Sequence, residues 1–330
     1  MKKNFIADLK TGESYTSDFA VIRKQTRTAK NDKKYLTLDI ADKTGKMQSR
    51  MWEEIPNELK WDDIQTGKVY EFKGKVEEYQ NNKQFITSHL QEIKDYDRED
   101  FIAVIKEDRD ELWQNLREIH KQVDNEWMKK LLNSFFEDEH FAKEFQEAPA
   151  AKAVHDSTLG GLLRHTYRMT KLAMKIIDDY PEMNIDKSMV ICGIAFHDME
   201  KINEYSYDGV VIEHTDTGHF VGHTVMACNS LYARIKEIEG FPQKLTDHII
   251  HIVAAHAGEY DPIRLPATQE ATLVHLVDFL DSRLVHLQQE KESISPDVRW
   301  KKDYYTGNWM FFNNNNQSQK DDQSDLGSLF

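Results

Sequence analysis

The run Gly193-Ile194-Ala195-Phe196-His197-Asp198-Met199-Glu200-Lys201 constrains this chain more than any other stretch. The apolar segment Met189 to Phe196 ends in His-Asp, and a lysine follows three residues after the aspartate. Such a segment predicts a buried helix whose end meets a cleft. Imidazole and carboxylate together are ligands for mid-row divalent metals. A lone His-Asp pair is weak, and the chain carries a second at His155-Asp156, so the reading depends on partners elsewhere. His165 lies on one helical stripe with Met169, Leu172 and Ile176, and the spacing turns it inward. Asp278 sits in Leu276-Val277-Asp278-Phe279-Leu280-Asp281, in a helix whose predicted core stripe is Leu273, Val277, Leu280 and Leu284. A carboxylate placed there needs a partner, because burying an unpaired charge is costly; a metal would serve. His223 shares a predicted face with Met226, Ala227, Ser230 and Leu231, and His256 with Ile249, Ile252 and Val253.

The order His165, His197-Asp198, Asp278 resembles the HD-domain metal phosphohydrolases, an all-helical fold with ligands in that order. The extra histidines His223 and His256 resemble the two-metal branch of that superfamily. The alternative for all six positions is a set of satisfied core histidines and carboxylates.

Ahead of this region the pattern changes period. Phe19 to Gln25, Tyr35 to Ala41, Lys46 to Trp52, Val69 to Tyr79 and Gln84 to Lys94 read as strands. Asp42-Lys43-Thr44-Gly45 is a turn between the second and third, and Gln80 to Lys83 a turn between the fourth and fifth. Residues 1–15 read as a polar lead, and Glu53 to Thr66 as a polar interruption. Five short strands broken after the third predict a Greek-key barrel of OB type. The stretch from Arg23 to Lys34 holds six cations and one acid and reads as the loop between the first two strands. Arg23, Lys24, Arg27, Lys30, Lys33 and Lys34 are candidate phosphate contacts, against the simpler reading of a solvated loop. Tyr35 and Trp52 are candidate stacking residues, with Phe72, Tyr79 and Phe85 divided between stacking and core.

Charge bears on the mode of binding. The 330 residues carry 43 basic and 57 acidic side chains, net −14. Residues 1–97 hold 18 basic and 17 acidic, net +1, leaving net −15 for the remainder. Bulk attraction of nucleic acid is therefore excluded, and any such binding must be local. No run of 18 apolar residues predicts a membrane span. The first residues lack the apolar run of a secretion signal. Cys192 and Cys228, the two cysteines, read as buried reduced thiols that suit a cytoplasmic protein.

The expected organisation is multidomain: an all-β OB-fold barrel over 1–97, a helical prologue over 98–150, an all-α HD domain over 151–312, and a disordered acidic tail over 313–330. The prologue shows stripes at Leu112, Leu116 and Ile119 and at Trp127, Leu131 and Phe135, and the tail ends in acidic residues and an apolar pair. The tail is a solubilising segment or a docking segment for a protein partner. Tyr205 to His219 is a candidate hairpin flap, with His214 and His219 near substrate.

Barrel, helical segment and HD domain in this order resemble the YhaM-type 3′→5′ exoribonucleases over roughly residues 10–300. The specific stretches are Ala148 to Thr166, Gly193 to Lys201, Gly218 to Thr224, His251 to Gly258 and Val274 to Asp281. One departure is His256-Ala257-Gly258 where the family tends to have His-His-Gly. The resemblance implies metal-dependent hydrolysis of single-stranded RNA from the 3′ end, with single-stranded DNA a second candidate substrate and nucleoside 5′-monophosphates the products. It implies one or two divalent ions, with Mn²⁺ favoured because imidazole ligands suit it better than Mg²⁺. Asp198 would bridge the ions, His165, His197 and Asp278 would hold one, and His223 and His256 the other. Lys201 would neutralise charge on the phosphoryl group. His155, His251, His275 and Asp281 are candidates to orient ligands. The rival readings are an HD phosphohydrolase acting on nucleotides and a non-catalytic single-strand-binding module. A homo-oligomer is compatible with the sequence.

Overall fold

The computed structural model describes residues 2, 4–29, 32–52, 59–79, 82–151, 158–207, 209–259, 263–294, 298–303 and 306–313. Lys30, His155, the tip of the second predicted turn and the predicted tail from 314 onward lie outside the described residues.

Five strands close a barrel: β1 (Ser14–Thr28), β2 (Lys34–Asp42), β3 (Gly45–Trp52), β4 (Val69–Tyr79) and β5 (Asn82–Ile93). Their order around the barrel is β1-β2-β3-β5-β4, with β3 and β5 parallel and the other neighbours antiparallel. Alternation places Phe19, Leu36, Leu38, Ile40, Met51, Phe72 and Phe85 inside. The rings of Phe19, Phe72 and Phe85 meet at 5.7–6.2 Å. Phe72 and Phe85 are thus core and not stacking surface. Gly74 stands where the β4–β5 register shifts, and a Cβ there would lie 2.2 Å from the Ile86 carbonyl oxygen.

Two expectations change. The lead segment is not merely polar: a 3₁₀ turn, Ile6–Asp8, buries Ile6 and Leu9 in the barrel core, and β1 begins at Ser14. The cationic stretch is mostly strand rather than loop. Arg23 and Arg27 pair with Asp39 and Tyr35 across the β1–β2 ladder, and a bulge between Val21 and Arg23 lets the long strand bend around the barrel.

The helices follow: α1 (Arg109–His120), α2 (Glu126–Phe136), α3 (Glu139–Glu147), α4 (Gly161–Asp179), α5 (Lys187–His197), α6 (Lys201–Glu204), α7 (Asp216–Phe220), α8 (His223–Glu237), α9 (Gln243–Ala255) and α10 (Gln269–Ser293). Asp108, Asn125, Asp138 and Asp186 cap the N-termini of α1, α2, α3 and α5 with side-chain oxygens. A hairpin of β6 (Tyr205–Ser206) and β7 (Glu213–His214) lies between α6 and α7, where a flap was expected. A second hairpin, β8 (Trp300–Lys302) and β9 (Trp309–Phe311), follows α10. Among the described residues no helix is long and apolar enough to cross a membrane.

α1–α3 do not stand apart from the helices that follow. Leu112, Leu116, Leu131, Phe135 and Phe145 share one apolar core with Leu163, Ile191, Phe196, Ile252 and Val277. Ala20 and Val69 of the barrel belong to that core as well. Lys43 pairs with Asp100 at 2.8 Å, and Arg98 Nε donates to the Gly209 carbonyl at 3.1 Å, so the charged connection after β5 is docked.

The α10 stripe also differs from expectation. Leu273, Val274 and Val277 are buried, while Leu280 and Leu284 are 42% and 57% exposed. The buried arc sits one residue over because the same helix must present Asp278 and Asp281 to a polar cluster.

Candidate metal centre

Among the described residues, α5 is the only helix buried all the way round. Ser188 to His197 are all buried, and Asp198 forms its C-terminal cap. Gly193 permits this packing: a Cβ there would come 2.6 Å from Ile252 Cγ2 on α9. The helix therefore delivers His197 and Asp198 to the middle of the helical body, where α4, α8, α9 and α10 supply the rest.

Asp198 is 2% exposed and its two oxygens face different groups. Oδ2 lies 3.2 Å from His197 Nε2, 3.7 Å from His165 Nε2 and 2.6 Å from Lys201 Nζ. Oδ1 lies 3.3 Å from His223 Nε2 and 3.8 Å from His256 Nε2. Asp278 Oδ1 stands 3.2 Å from His165 Nε2. Two trios result whose ligand atoms lie within 4.8 Å of one another: His165, His197, Asp278 and Asp198, His223, His256.

The outward nitrogen of each imidazole is held. His165 Nδ1 meets Asp281 Oδ2 at 2.8 Å, and His223 Nδ1 meets Glu204 Oε2 at 2.9 Å. His197 Nδ1 and His256 Nδ1 donate to the carbonyls of Ile194 and Val253, each at 2.7 Å. With Nδ1 held, each Nε2 is the atom left to offer a lone pair to a cation, on His165 after giving up the proton that the facing Asp278 carboxylate retains there. His197 Nε2 is buried without a hydrogen-bond partner among the described residues. Four convergent imidazole nitrogens and two carboxylates form an acceptor-rich set, which fits one or two divalent cations.

Electrostatics reinforce the cluster. Burial would push the Asp198 carboxyl up, but His197, Lys201 and His223 hold it well below the ordinary range. Burial opposes the charge on Lys201, yet Asp198 keeps the ammonium firmly protonated. Lys201 is 7% exposed, so it is not a solvated helix-end cation. Burial would depress His165, and the carboxylates of Asp278 and Asp281 outweigh it and raise the imidazole to about 10. Burial and the neighbouring His197 lower His256 to about 4.

Of the expected orienting residues, Asp281 touches His165 as described. His275 donates through Nδ1 to the His256 carbonyl at 2.8 Å and so supports a ligand's backbone. Gly258 makes room for it: at φ +58, a Cβ would fall 2.2 Å from the His275 ring. His251 does not join the cluster. Its Nε2 accepts from Ala267 N at 3.0 Å, because five residues on a helix carry it well away from the His256 side. His155 lies outside the described residues. In the flap, the His214 ring packs, tilted, between those of Tyr205 and His219, with centroids 4.9 and 4.7 Å away.

Glu204 escaped sequence reasoning. It is 5% exposed, and both its oxygens serve His223: Oε1 accepts from the backbone N–H at 3.2 Å and Oε2 from the ring. Its carbonyl accepts from Thr215 N at 2.9 Å, so one residue ties the flap to His223. Its signal in sequence was an acid in the helical register of Lys201, too common a pattern to single out.

On the barrel, Tyr35 and Trp52 are cross-strand partners with ring centroids 5.2 Å apart. The Arg50 guanidinium, also missed, lies 5.4 Å from the Tyr35 ring and 5.1 Å from the half-exposed Tyr79 ring. Arg50 alternates with Trp52 on β3, which is the signal that would have found it. Lys24 is differently employed: its Nζ donates to the Ile64 and Trp61 carbonyls at 2.7 and 3.2 Å, closing a 3₁₀ turn. Arg23 leans toward Asp39 at 4.0 Å, Arg27 donates to Gln25 Oε1 at 2.9 Å, and Lys33 and Lys34 lie exposed at the start of β2.

A protein-family model described as an OB-fold nucleic acid binding domain matches residues 20–93, and one described as an HD domain matches residues 162–283. A curated 3′-5′ exoribonuclease YhaM from Oceanobacillus iheyensis is 29% identical over 310 residues, covering 89% of this chain and 92% of that protein. The proteins of that name from Bacillus velezensis and Bacillus subtilis are 23% and 24% identical, covering 86% and 84% of this chain and 90% and 88% of their own lengths. Among solved structures, the second OB-fold domain of replication protein A from Methanococcus maripaludis aligns at 18% identity and TM-score 0.24, over 28% of this chain and 96% of that one. The chain thus joins an OB-fold barrel to an HD domain and is similar over most of its length to proteins named 3′-5′ exoribonuclease YhaM.

Proposed function

We propose that this chain is a metal-dependent 3′→5′ exoribonuclease that releases nucleoside 5′-monophosphates from single-stranded RNA, with single-stranded DNA as a second substrate. The observation that carries the reading is the convergence of four Nε2 atoms on the two oxygens of Asp198, with every Nδ1 anchored. The names of the relatives supply the direction of attack and the polymer.

His165, His197 and Asp278 would hold one divalent ion and His223 and His256 the other, with Asp198 between them. Imidazole-rich ligation favours Mn²⁺ over Mg²⁺. When bound, such ions supply Lewis-acid activation of water and neutralisation of phosphoryl oxygens. The chain's own residues set the geometry. Asp281 and Glu204 fix the tautomers of His165 and His223. Lys201 keeps Asp198 ionised and adds fixed positive charge where the phosphoryl group would gather negative charge. Cleavage between phosphorus and the penultimate 3′ oxygen leaves the phosphate on the departing nucleotide's 5′ oxygen.

Residues 1–97 serve as the grip on the strand, with Tyr35, Trp52, Tyr79 and Arg50 stacking bases and Arg27, Lys33 and Lys34 meeting phosphates. Residues 98–150 complete the body that carries the site in 151–312. The buried thiol of Cys192, pushed up by its apolar surroundings, fits a reducing cytoplasm. The test is incubation of 3′- and 5′-labelled single-stranded RNA with Mn²⁺ beside a metal-stripped control. Stepwise shortening of the 5′-labelled strand with release of labelled mononucleotide from the 3′ end is expected. Hydrolysis of free nucleotides but not oligomers would favour a nucleotide phosphohydrolase instead.

A further inference from the structure

The flap ends in an unusual surface. Phe220 is 88% exposed, the most exposed of the large hydrophobic residues described, and Val221 and Val225 are 40% and 39% exposed. Phe220 and Val221 precede His223 by three and two residues, and the His223 side chain is 21% exposed while those of His165, His197, Asp198 and His256 are 4% or less. An isolated exposed apolar side chain is ordinary. An exposed apolar pair leading directly into the most open imidazole of the cluster is not isolated.

The segment is also held in place. Thr215 caps α7 by accepting from Gly218 N at 2.9 Å, and its own N–H is bound by the Glu204 carbonyl. Gly218 packs so closely that a Cβ would lie 2.3 Å from that carbonyl oxygen. Two residues past Phe220, Gly222 turns at φ +77 into α8, where Glu204 holds His223 by backbone and ring. Glu204 therefore anchors the backbone on both sides of Phe220, which stands three residues before His223. A core-packing role is excluded by its exposure.

We propose that Phe220 is a specificity-determining residue that stacks on the base at the 3′ end of the bound strand. This rests on the exonuclease reading and adds to it what the site recognises besides phosphate: the flat face of a base, of any identity. A ring accepts all four bases by stacking, which suits an enzyme that must process an unselected sequence. Single strands offer their bases for such contacts, whereas paired strands do not.

The experiment uses the full chain and two 5′-labelled RNA oligomers, one with an ordinary 3′-terminal nucleotide and one whose terminal nucleotide lacks its base. Wild type should remove the ordinary nucleotide with a kcat/KM roughly five- to a hundredfold higher than the abasic one, the range of one stacked base. Phe220→Ala should lose that ratio by slowing on the ordinary strand alone, and Phe220→Tyr should restore it. Phe220→Trp should show fluorescence quenching by the ordinary oligomer in a metal-stripped sample, and less by the abasic one. A ratio unchanged in Phe220→Ala, or a wild type indifferent to the missing base, overturns the proposal. Equal slowing of Phe220→Ala on both oligomers would show a structural role and also overturn it. Failure of wild type to shorten either oligomer with Mn²⁺ would instead overturn the exonuclease reading.

Discussion

Asp198 spends its two oxygens on two different sets of neighbours, and that division organises the site. Asp198→Ala is expected to abolish hydrolysis and lower bound metal, since it leaves two imidazole-lined positions without the shared anion. Unchanged stoichiometry by metal analysis would exclude the bridging role. His223→Ala should weaken the second ion more than the first, visible as a requirement for more Mn²⁺ in an activity titration. Glu204→Gln tests the orienting contact: the amide can still accept from the His223 backbone but no longer holds the ring by charge. Loss of roughly 10–100-fold in metal affinity or activity is expected. Calorimetry of Mn²⁺ binding checks it, and a change below twofold would show that His223 keeps its tautomer unaided. These orienting residues were unevenly legible. Asp281 follows Asp278 by three residues and shares its surroundings, so proximity in sequence revealed it. Glu204 and His223 are 19 residues apart, and only the folded flap brings them together.

Among the elements, α1 holds a group with a pH signature. His120 is 3% exposed, packs edge-on against Phe136 at 4.7 Å and accepts from Arg117 at 3.3 Å. Burial, with Arg117 adding to it, pushes the imidazole down to about 3. The folded state thus keeps His120 neutral while the unfolded chain takes up a proton near pH 6.5. Below that value the unfolded state binds more protons, so stability falls as pH drops from about 6.5 toward 3, by up to about 1.4 kcal/mol per pH unit. His120→Leu should flatten this acid limb in urea titrations run at pH 7 and pH 4.5, and an equal slope in both proteins would refute the assignment. On the barrel, the ladder of β1 with β2 relocates the expected cationic loop onto strands. If Arg27, Lys33 and Lys34 meet phosphates as proposed, changing all three to Ala should flatten log K against log[salt] by about 2 units for single strands. Fluorescence anisotropy of a labelled oligomer checks this, with turnover at saturating substrate expected to persist. Strand positions were legible because alternation is a local pattern. The length of β1 was not, because its last residues are polar on both faces and only pairing with β2 keeps them extended.

The whole molecule unites a near-neutral barrel with a body of net charge −15. Removing residues 1–97 should cost long substrates far more than dinucleotides, because the basic surface leaves with the barrel while the metal cluster stays. It should also lower thermal stability, since Ala20 and Val69 contribute to the helical core and Lys43 to the contact with Asp100. Full-length and truncated proteins compared on long RNA at matched salt decide the first point, and equal rates would remove the barrel as the grip. Sequence alone determined the two-part architecture, the five strands, and the six clustered residues His165, His197, Asp198, His223, His256 and Asp278. Periodicity and residue chemistry are written locally, and an inward histidine or carboxylate needs an explanation wherever it lies. Tertiary structure alone decided which oxygen of Asp198 faces which imidazoles, that Lys24 closes a turn and His251 faces away, that Leu280 and Leu284 lie on the surface, and that α1–α3 share the main core. The physical reason is the same in each case: which face of an element is buried, and which oxygen meets which nitrogen, depends on partners far along the chain, and no local pattern records them.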